Sequence, residues 1–273
     1  MEQIIESFDY KIYTKVEGEG LPVLLLHSLW GDSTLFNRLA KQLSLKFKII
    51  RIDFPGHGNS TSPKINFTFK EFAIVLNDIL EKLGIAGKIA FIGHSMGGFA
   101  ALAFAKEFDE KTAAIVLMHT YLNSSDHKST TLRERQAKLI NQNRKELLLQ
   151  VTNRSNFAPR NADKFQTEFD QLTYTANRVT QKGALAGIHA INTREYSLHF
   201  IKISKIPTLI VIGKQDQVYN PEDQLSEYSN LAHAELLTLI NSGHLGFIEE
   251  EDIFVPRVSD FLSSVQVLVD GGQ

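Results

Sequence analysis

The chain contains no cysteine. Disulfides, thiolate metal sites and a cysteine nucleophile are therefore excluded. The compartment is not fixed by this absence, because a cysteine-free chain tolerates either redox state. Long apolar runs are also missing. None approaches the roughly 20 residues a membrane helix needs, and the longest, Leu21 to Leu26, has the length of a strand. The first residues, MEQIIESFDYKIY, lack the basic start and apolar run of a signal peptide, so a cytoplasmic location is expected. Charge of one sign is not in excess: 29 Lys and Arg face 31 Asp and Glu, for a net −2. Neither nucleic acid nor a membrane surface is an expected partner. There is no HExxH, no clustered His/Asp metal spacing and no P-loop, and Gly93, Gly97 and Gly98 do not make a G-x-G-x-x-G. No metal, nucleotide, nicotinamide or flavin cofactor is implied.

What the chain does hold is alternation. Its 273 residues suit one core domain with an insertion. Short apolar runs recur: Pro22–Ser28, Lys48–Asp53, Lys88–His94, Ala113–His119, Thr208–Asp216 and Glu235–Ile240. Runs that are apolar on both faces suit parallel strands covered by helices on both sides. Between them lie helical patterns. Ser33 is placed to cap a helix over about 34–43. Thr68 and Glu71 form a capping-box pair ahead of apolar positions at Phe69, Phe72, Ala73, Leu76, Ile79, Leu80 and Leu83, and Gly84 can end that helix. Residues 97–108 read as a buried helix. Repeated strand–helix–strand units imply an α/β fold with a mostly parallel twisted sheet. The alternating segment DYKIYTKVEG reads as part of an antiparallel hairpin turning at Gly18 and Gly20.

The pattern breaks over about 120–203, which is polar and carries long helical stretches at 131–151 and 161–179. A connection of that length is no ordinary loop. It is expected to be a helical cap insertion (120–203) in a core made of 1–119 and 204–273. It leaves the chain just after a strand end, where open α/β sheets bind ligands.

Gly93-His94-Ser95-Met96-Gly97 fits G-x-S-x-G, directly after a strand run and directly before a helix. That is the context in which the serine sits on a sharp strained turn with its hydroxyl raised above the sheet. This stretch, continued by Gly98, resembles the nucleophile elbow of the α/β-hydrolase superfamily. Asp53-Phe54-Pro55-Gly56-His57-Gly58-Asn59-Ser60 is similar to that family's D-x-x-G-x-G-x-S turn. The resemblance runs over 22–118 and from 207 to about 261. It implies an α/β-hydrolase fold and a serine hydrolase of the esterase type, with Ser95 as nucleophile.

A serine hydroxyl needs a base, and the base needs an orienting acid. In this fold the chain order is Ser, acid, His. Of the nine histidines, His27, His57 and His94 precede Ser95. His127, His189 and His199 lie in the insertion, and His233 precedes a strand. His244, among small residues just beyond the last strand, is the base expected. Gly213-Lys214-Gln215-Asp216 resembles the family's acid turn and makes Asp216 the acid. Its other reading is a helix cap. His119 and Thr120, at another strand end, either line the pocket or serve structure.

The oxyanion donors implied by the resemblance are the backbone N–H groups of Met96 and Leu29. The loop His27-Ser28-Leu29-Trp30-Gly31 resembles the family's H-G-x-x-G, with Ser28 replacing the usual glycine. The Ser28 hydroxyl either shifts the loop or meets the substrate. Trp30 is either a pocket wall or a core aromatic, and His57 reads as turn framework. Serine at the nucleophile position disfavours the branches that use aspartate there.

The activity expected is cofactor-independent cleavage of a carboxylic ester, or a related acyl bond, of a small molecule. The same triad would serve a carbon–carbon bond hydrolase, an enol-lactonase, a thioesterase or a cofactor-free peroxidase. A ligand receptor that retains the triad is the alternative from another class. Phe157, Phe165, Phe169, Leu172 and Tyr174 supply either an apolar acyl pocket or a helical core. The oligomeric state stays open.

Overall fold

The computed structural model describes residues 1–64, 66–123, 127–229, 231 and 233–271, and the side chains of His127 and Lys128 are left aside. Among the described residues there are eight strands and eleven α-helices. A hairpin, β1 (Glu2–Ser7) and β2 (Tyr10–Glu17), leads into β3 (Pro22–Leu26). A 3-10 turn (Ser33–Phe36), α1 (Asn37–Leu43), β4 (Lys48–Ile52), α2 (Phe69–Lys82), β5 (Ile89–His94), α3 (Met96–Glu107) and β6 (Thr112–Met118) follow. Then come α4 (His127–Asn141), α5 (Lys145–Ser155), α6 (Gln166–Arg178), α7 (Gln181–Asn192) and α8 (Leu198–Ile203). The chain ends with β7 (Thr208–Gly213), α9 (Pro221–Tyr228), β8 (Ala234–Leu239), α10 (Gly246–Glu249) and α11 (Glu251–Gly271).

The strands form one sheet in the order β1-β2-β4-β3-β5-β6-β7-β8. Pairing is antiparallel at β1–β2 and β2–β4 and parallel from β4 to β8. Alternation sends successive side chains to opposite faces. Leu24, Leu26, Phe91, Ile115, Leu117, Ile210 and Ile212 meet Phe72 and Leu76 of α2 and Ala100 and Phe104 of α3. Their neighbours Val23, Leu25, Ala90, Ile92, Ala114, Val116, Leu209 and Val211 meet Leu39 of α1 and Phe254, Phe261 and Leu262 of α11. Both faces are covered, so the central strands are apolar throughout. The edge strand β8 departs from this expectation: its Glu235 and Leu236 are exposed.

Three local expectations are corrected. The hairpin turns at Phe8-Asp9, between the paired residues Ser7 and Tyr10, with Phe8 at φ +50°. Gly18 and Gly20 instead carry the chain past a neighbouring backbone. A Cβ on Gly18 would lie 2.3 Å from the Phe47 carbonyl oxygen, and one on Gly20 2.7 Å from that of Lys46. The cap after β3 is Asp32, whose Oδ1 accepts the Thr34 N–H at 2.9 Å, and a 3-10 turn precedes α1. The helical stretch expected over 131–151 is two helices, broken where Asn143 adopts φ +56°, a conformation asparagine tolerates. The capping box of α2 forms as read, with Gly84 following at φ +71°.

The segment between β6 and β7 lies over the carboxyl ends of the strands. The Gly56 carbonyl accepts the Thr180 N–H at 2.9 Å, and the Asn156 carbonyl accepts the His244 N–H at 2.8 Å. Trp30 packs among Ile140, Leu149, Ala184 and Ile188 of this segment. No helix among the described residues is long and apolar enough to cross a membrane.

Candidate active site

β5 ends at His94, and α3 begins at Met96, so a single residue, Ser95, makes the turn. Its φ of +53° and ψ of −109° fall outside the conformations L-residues favour. The flanking glycines are required by space. A Cβ on Gly97 would sit 2.0 Å from the Leu26 carbonyl oxygen, and one on Gly93 would sit 2.5 Å from the Gly98 nitrogen. The turn is locked by the Ser95 N–H donating to Met118 O at 2.9 Å and by the Thr120 hydroxyl donating to Ser95 O at 3.2 Å. A strained serine is thus held at the N-terminus of a buried helix.

The loops after β7 and β8 bring two more of the expected residues together. His244 Nδ1 lies 2.7 Å from Asp216 Oδ2. The other carboxylate oxygen, Oδ1, accepts the N–H groups of Val218 at 2.7 Å and Tyr219 at 3.0 Å. Asp216 is therefore not the cap of α9; Asn220 is, accepting the Glu222 N–H at 2.9 Å. The His244 backbone is gripped at both ends. Its N–H donates to Asn156 O, and its carbonyl accepts from His94 Nε2 at 2.7 Å. His94 directly precedes Ser95, so this bond ties the base loop to the elbow. With Nδ1 engaged by Asp216, Nε2 is the ring nitrogen of His244 left for another partner.

Burial works against ionisation of Asp216, yet the His244 and His119 imidazoles outweigh it and hold the carboxyl well below the usual carboxylate range. Burial, reinforced by the neighbouring His244 and His119, pushes His94 far down. Burial also lowers His119.

The loop after β3 is set by two other buried histidines. His27 Nε2 accepts the Phe54 N–H at 2.9 Å, so its Nδ1 carries the proton and donates to Ser28 O at 2.8 Å. A trans peptide points its C=O and N–H in opposite directions. The grip on Ser28 O therefore aims the Leu29 N–H away from His27. His57 Nε2 lies 2.7 Å from Leu29 O and holds the next peptide in turn. Burial lowers both rings. The Leu29 and Met96 side chains converge on α7. A Cβ on Gly187 would be 2.4 Å from Leu29 Cδ1 and 3.3 Å from Met96 Sδ. Asp53 ties the D-x-x-G-x-G-x-S turn to this loop by accepting the N–H groups of Ser33 and Asn59, each at 2.8 Å.

Of the remaining expected residues, Ser28 and Leu29 are half-buried at the loop, while Trp30 is buried among helices of the insertion. Phe157 and Leu172 are core residues, Phe165 and Phe169 pack beside them, and Tyr174 is exposed. Sequence reasoning did not find the links from His94 to His244, from His27 and His57 to the β3 loop, or from His119 to Asp216. Among the described residues, His119, Asp216 and His244 have ligand atoms within 4.8 Å of one another, the spacing of a cation site. The hydrogen bond between His244 and Asp216 already occupies those atoms, and a cation would have to displace its proton. We assign no ion there.

A family model described as alpha/beta hydrolase fold matches residues 22–251. An uncharacterised protein of Mycobacterium tuberculosis is 30% identical over 109 residues, 40% of this chain but only 32% of that protein's length. The 2-hydroxy-6-oxo-6-(2'-aminophenyl)hexa-2,4-dienoic acid hydrolase of Metapseudomonas resinovorans is 25% identical over 261 residues, covering 90% of this chain and 85% of that protein. Among solved structures, a thermophilic esterase from Thermogutta terrifontis superposes with a TM-score of 0.91 over 97% of this chain and 99% of its own, at 21% identity.

Proposed function

The chain belongs to the alpha/beta hydrolase fold family, and from that premise we propose that it is a cofactor-independent serine hydrolase of small carboxylic esters or related acyl compounds. The observation that carries this reading is the 2.7 Å bond between His244 Nδ1 and Asp216 Oδ2, in a loop tied through His94 to the Ser95 elbow.

Ser95 Oγ attacks the acyl carbon while His244 Nε2 takes its proton. Asp216 holds the ring in the right tautomer and stabilises the imidazolium. The carbonyl oxygen becomes an oxyanion facing the N–H groups of Met96 and Leu29, with the α3 N-terminus adding partial positive charge. The tetrahedral adduct collapses, the carbon–oxygen bond of the leaving group breaks, and His244 gives that group its proton. Water, deprotonated by His244, then attacks the acyl-serine and releases the acid and Ser95. The insertion over 120–203 serves as the cap of this site, and the core comprises 1–119 and 204–273.

A second reading is hydrolysis of a carbon–carbon bond by the same residues. It is favoured by the Metapseudomonas relative, whose alignment spans 90% of the chain. A panel of p-nitrophenyl esters, thioesters, lactones and vinylogous diketones separates the two readings. We expect turnover of short esters that disappears in Ser95→Ala. Turnover confined to the diketones would transfer the proposal to carbon–carbon cleavage. Ester turnover unchanged in Ser95→Ala would reject both.

A further inference from the structure

His119 ends β6 beside the proposed triad, and the mechanism above does not use it. Its φ is +50°, a left-handed value that is uncommon outside glycine though histidine adopts it more readily than most residues. The ring is fully buried. Its Nδ1 lies 3.5 Å from Asp216 Oδ2 and 3.3 Å from the Gly213 nitrogen, and its Nε2 lies 3.2 Å from the Gly246 nitrogen.

A neutral imidazole has one N–H and one lone pair, so these neighbours choose the tautomer. A proton on Nε2 would face the Gly246 N–H donor to donor and would turn the Nδ1 lone pair toward a carboxylate. A proton on Nδ1 is accepted by Asp216, while Nε2 accepts the Gly246 N–H. The Gly213 N–H, which points at Nδ1 from 3.3 Å, is then set donor to donor, and the nearby carboxylate decides between the two arrangements. A charged ring would set a donor against each backbone N–H, and burial opposes it.

We propose that His119 is a positioning residue that donates a second imidazole N–H to Asp216, on the same oxygen that binds His244, and so tempers the basicity of His244. The inference rests on the triad reading. A carboxylate oxygen shared by two donors offers less negative charge to each. The His244 imidazolium is then less stabilised, and the neutral base persists to lower pH. The other groups facing this pair are few. His94 reaches it from β5, with its ring 4.9 Å from that of His244. Tyr219 lies 5.3 Å from His244, with Tyr121 packed on it at 4.7 Å. Glu249 of α10 accepts the Gly243 N–H at 2.8 Å, and burial raises its carboxyl. None of these hydrogen-bonds Asp216 Oδ2 among the described residues.

The test is the pH dependence of kcat/KM for p-nitrophenyl acetate in the unsubstituted protein and in His119→Phe, His119→Asn and His119→Gln. Asparagine sets an amide N–H near the Nδ1 position, whereas glutamine reaches the Nε2 position and leaves Asp216 without its second donor. Loss of that donor makes Asp216 more electron-rich, so the acid limb should move to higher pH, by about half a unit to one unit. We expect that shift in the Phe and Gln variants and its recovery in Asn. If the Phe variant does not fold, the contrast between Asn and Gln decides. Acid limbs that coincide across all variants, with only kcat reduced, would make His119 merely structural and overturn the proposal. Turnover undiminished in His244→Ala would overturn the triad reading instead.

Discussion

Glu227 carries its charge in a poorly hydrated place. It lies on α9, is buried, and accepts the N–H of Leu122, where the chain leaves β6 for the inserted helices. Burial raises its carboxyl to about 6, against 4.5 for a free glutamate. The folded state therefore holds this proton more tightly than the unfolded state. The stabilisation is complete below the unfolded value and is lost as pH rises through the folded one. Between those limits the loss amounts to about 2 kcal/mol. Glu227→Gln keeps an acceptor for Leu122 and has nothing to ionise. Urea unfolding should place the variant higher relative to the parent at pH 8 than at pH 5, by about 1 kcal/mol, since pH 5 already lies between the two values. An equal difference at both pH values would rule this out. Legibility at this scale depends on what a residue follows. Ser95, Asp216 and His244 stand out as candidates in the sequence because each follows an apolar strand run. His119 stands in the same kind of place, but its tie to Asp216 depends on β6 lying beside β7, a neighbour relation the sequence does not state.

The helix α7 presents two glycines to the core, four residues apart and hence on one face. Their surroundings differ in what can yield. A Cβ on Gly183 would meet backbone, 2.5 Å from the Gly56 carbonyl oxygen. A Cβ on Gly187 would meet the far end of a flexible side chain, Leu29 Cδ1 at 2.4 Å. Gly183→Ala should therefore cost stability, by about 2 kcal/mol or more, because overpacking against backbone outweighs the roughly 1 kcal/mol of added helix propensity. Gly187→Ala should leave stability within about 1 kcal/mol of the parent. It pushes on the residue proposed to donate to the oxyanion, so kcat should fall about tenfold, a fraction of the loss that follows removal of a whole donor. Thermal melts and steady-state kinetics on the two variants distinguish these effects, and a reversed pattern would contradict the account of α7. Elements themselves were legible where local rules govern them, as in the capping box of α2. The start of α1, the hairpin turn at Phe8 and the break at Asn143 were not. There the outcome rests on single left-handed residues or on an aspartate one position earlier than the serine that pattern reading favours.

For the whole molecule, the mostly parallel core followed from strand runs apolar on both faces. How the segment between β6 and β7 docks did not follow, because it depends on close backbone approaches such as Gly56 to Gly183 and Gly243 to Ala158, where a Cβ on Gly243 would lie 2.6 Å from the Ala158 nitrogen. Those approaches set inserted backbone against the loops that carry Leu29 and His244. Core and insertion thus build the proposed site together, and its reactivity belongs to the folded whole. Labelling by a fluorophosphonate at neutral pH, read by intact mass and peptide mapping, tests the central claim. One phosphonyl group per chain should appear on the peptide spanning 89–106, be absent from Ser95→Ala, and form at least about a hundredfold more slowly in His244→Ala. A label on another residue, or an undiminished rate in His244→Ala, would contradict a triad of Ser95, His244 and Asp216.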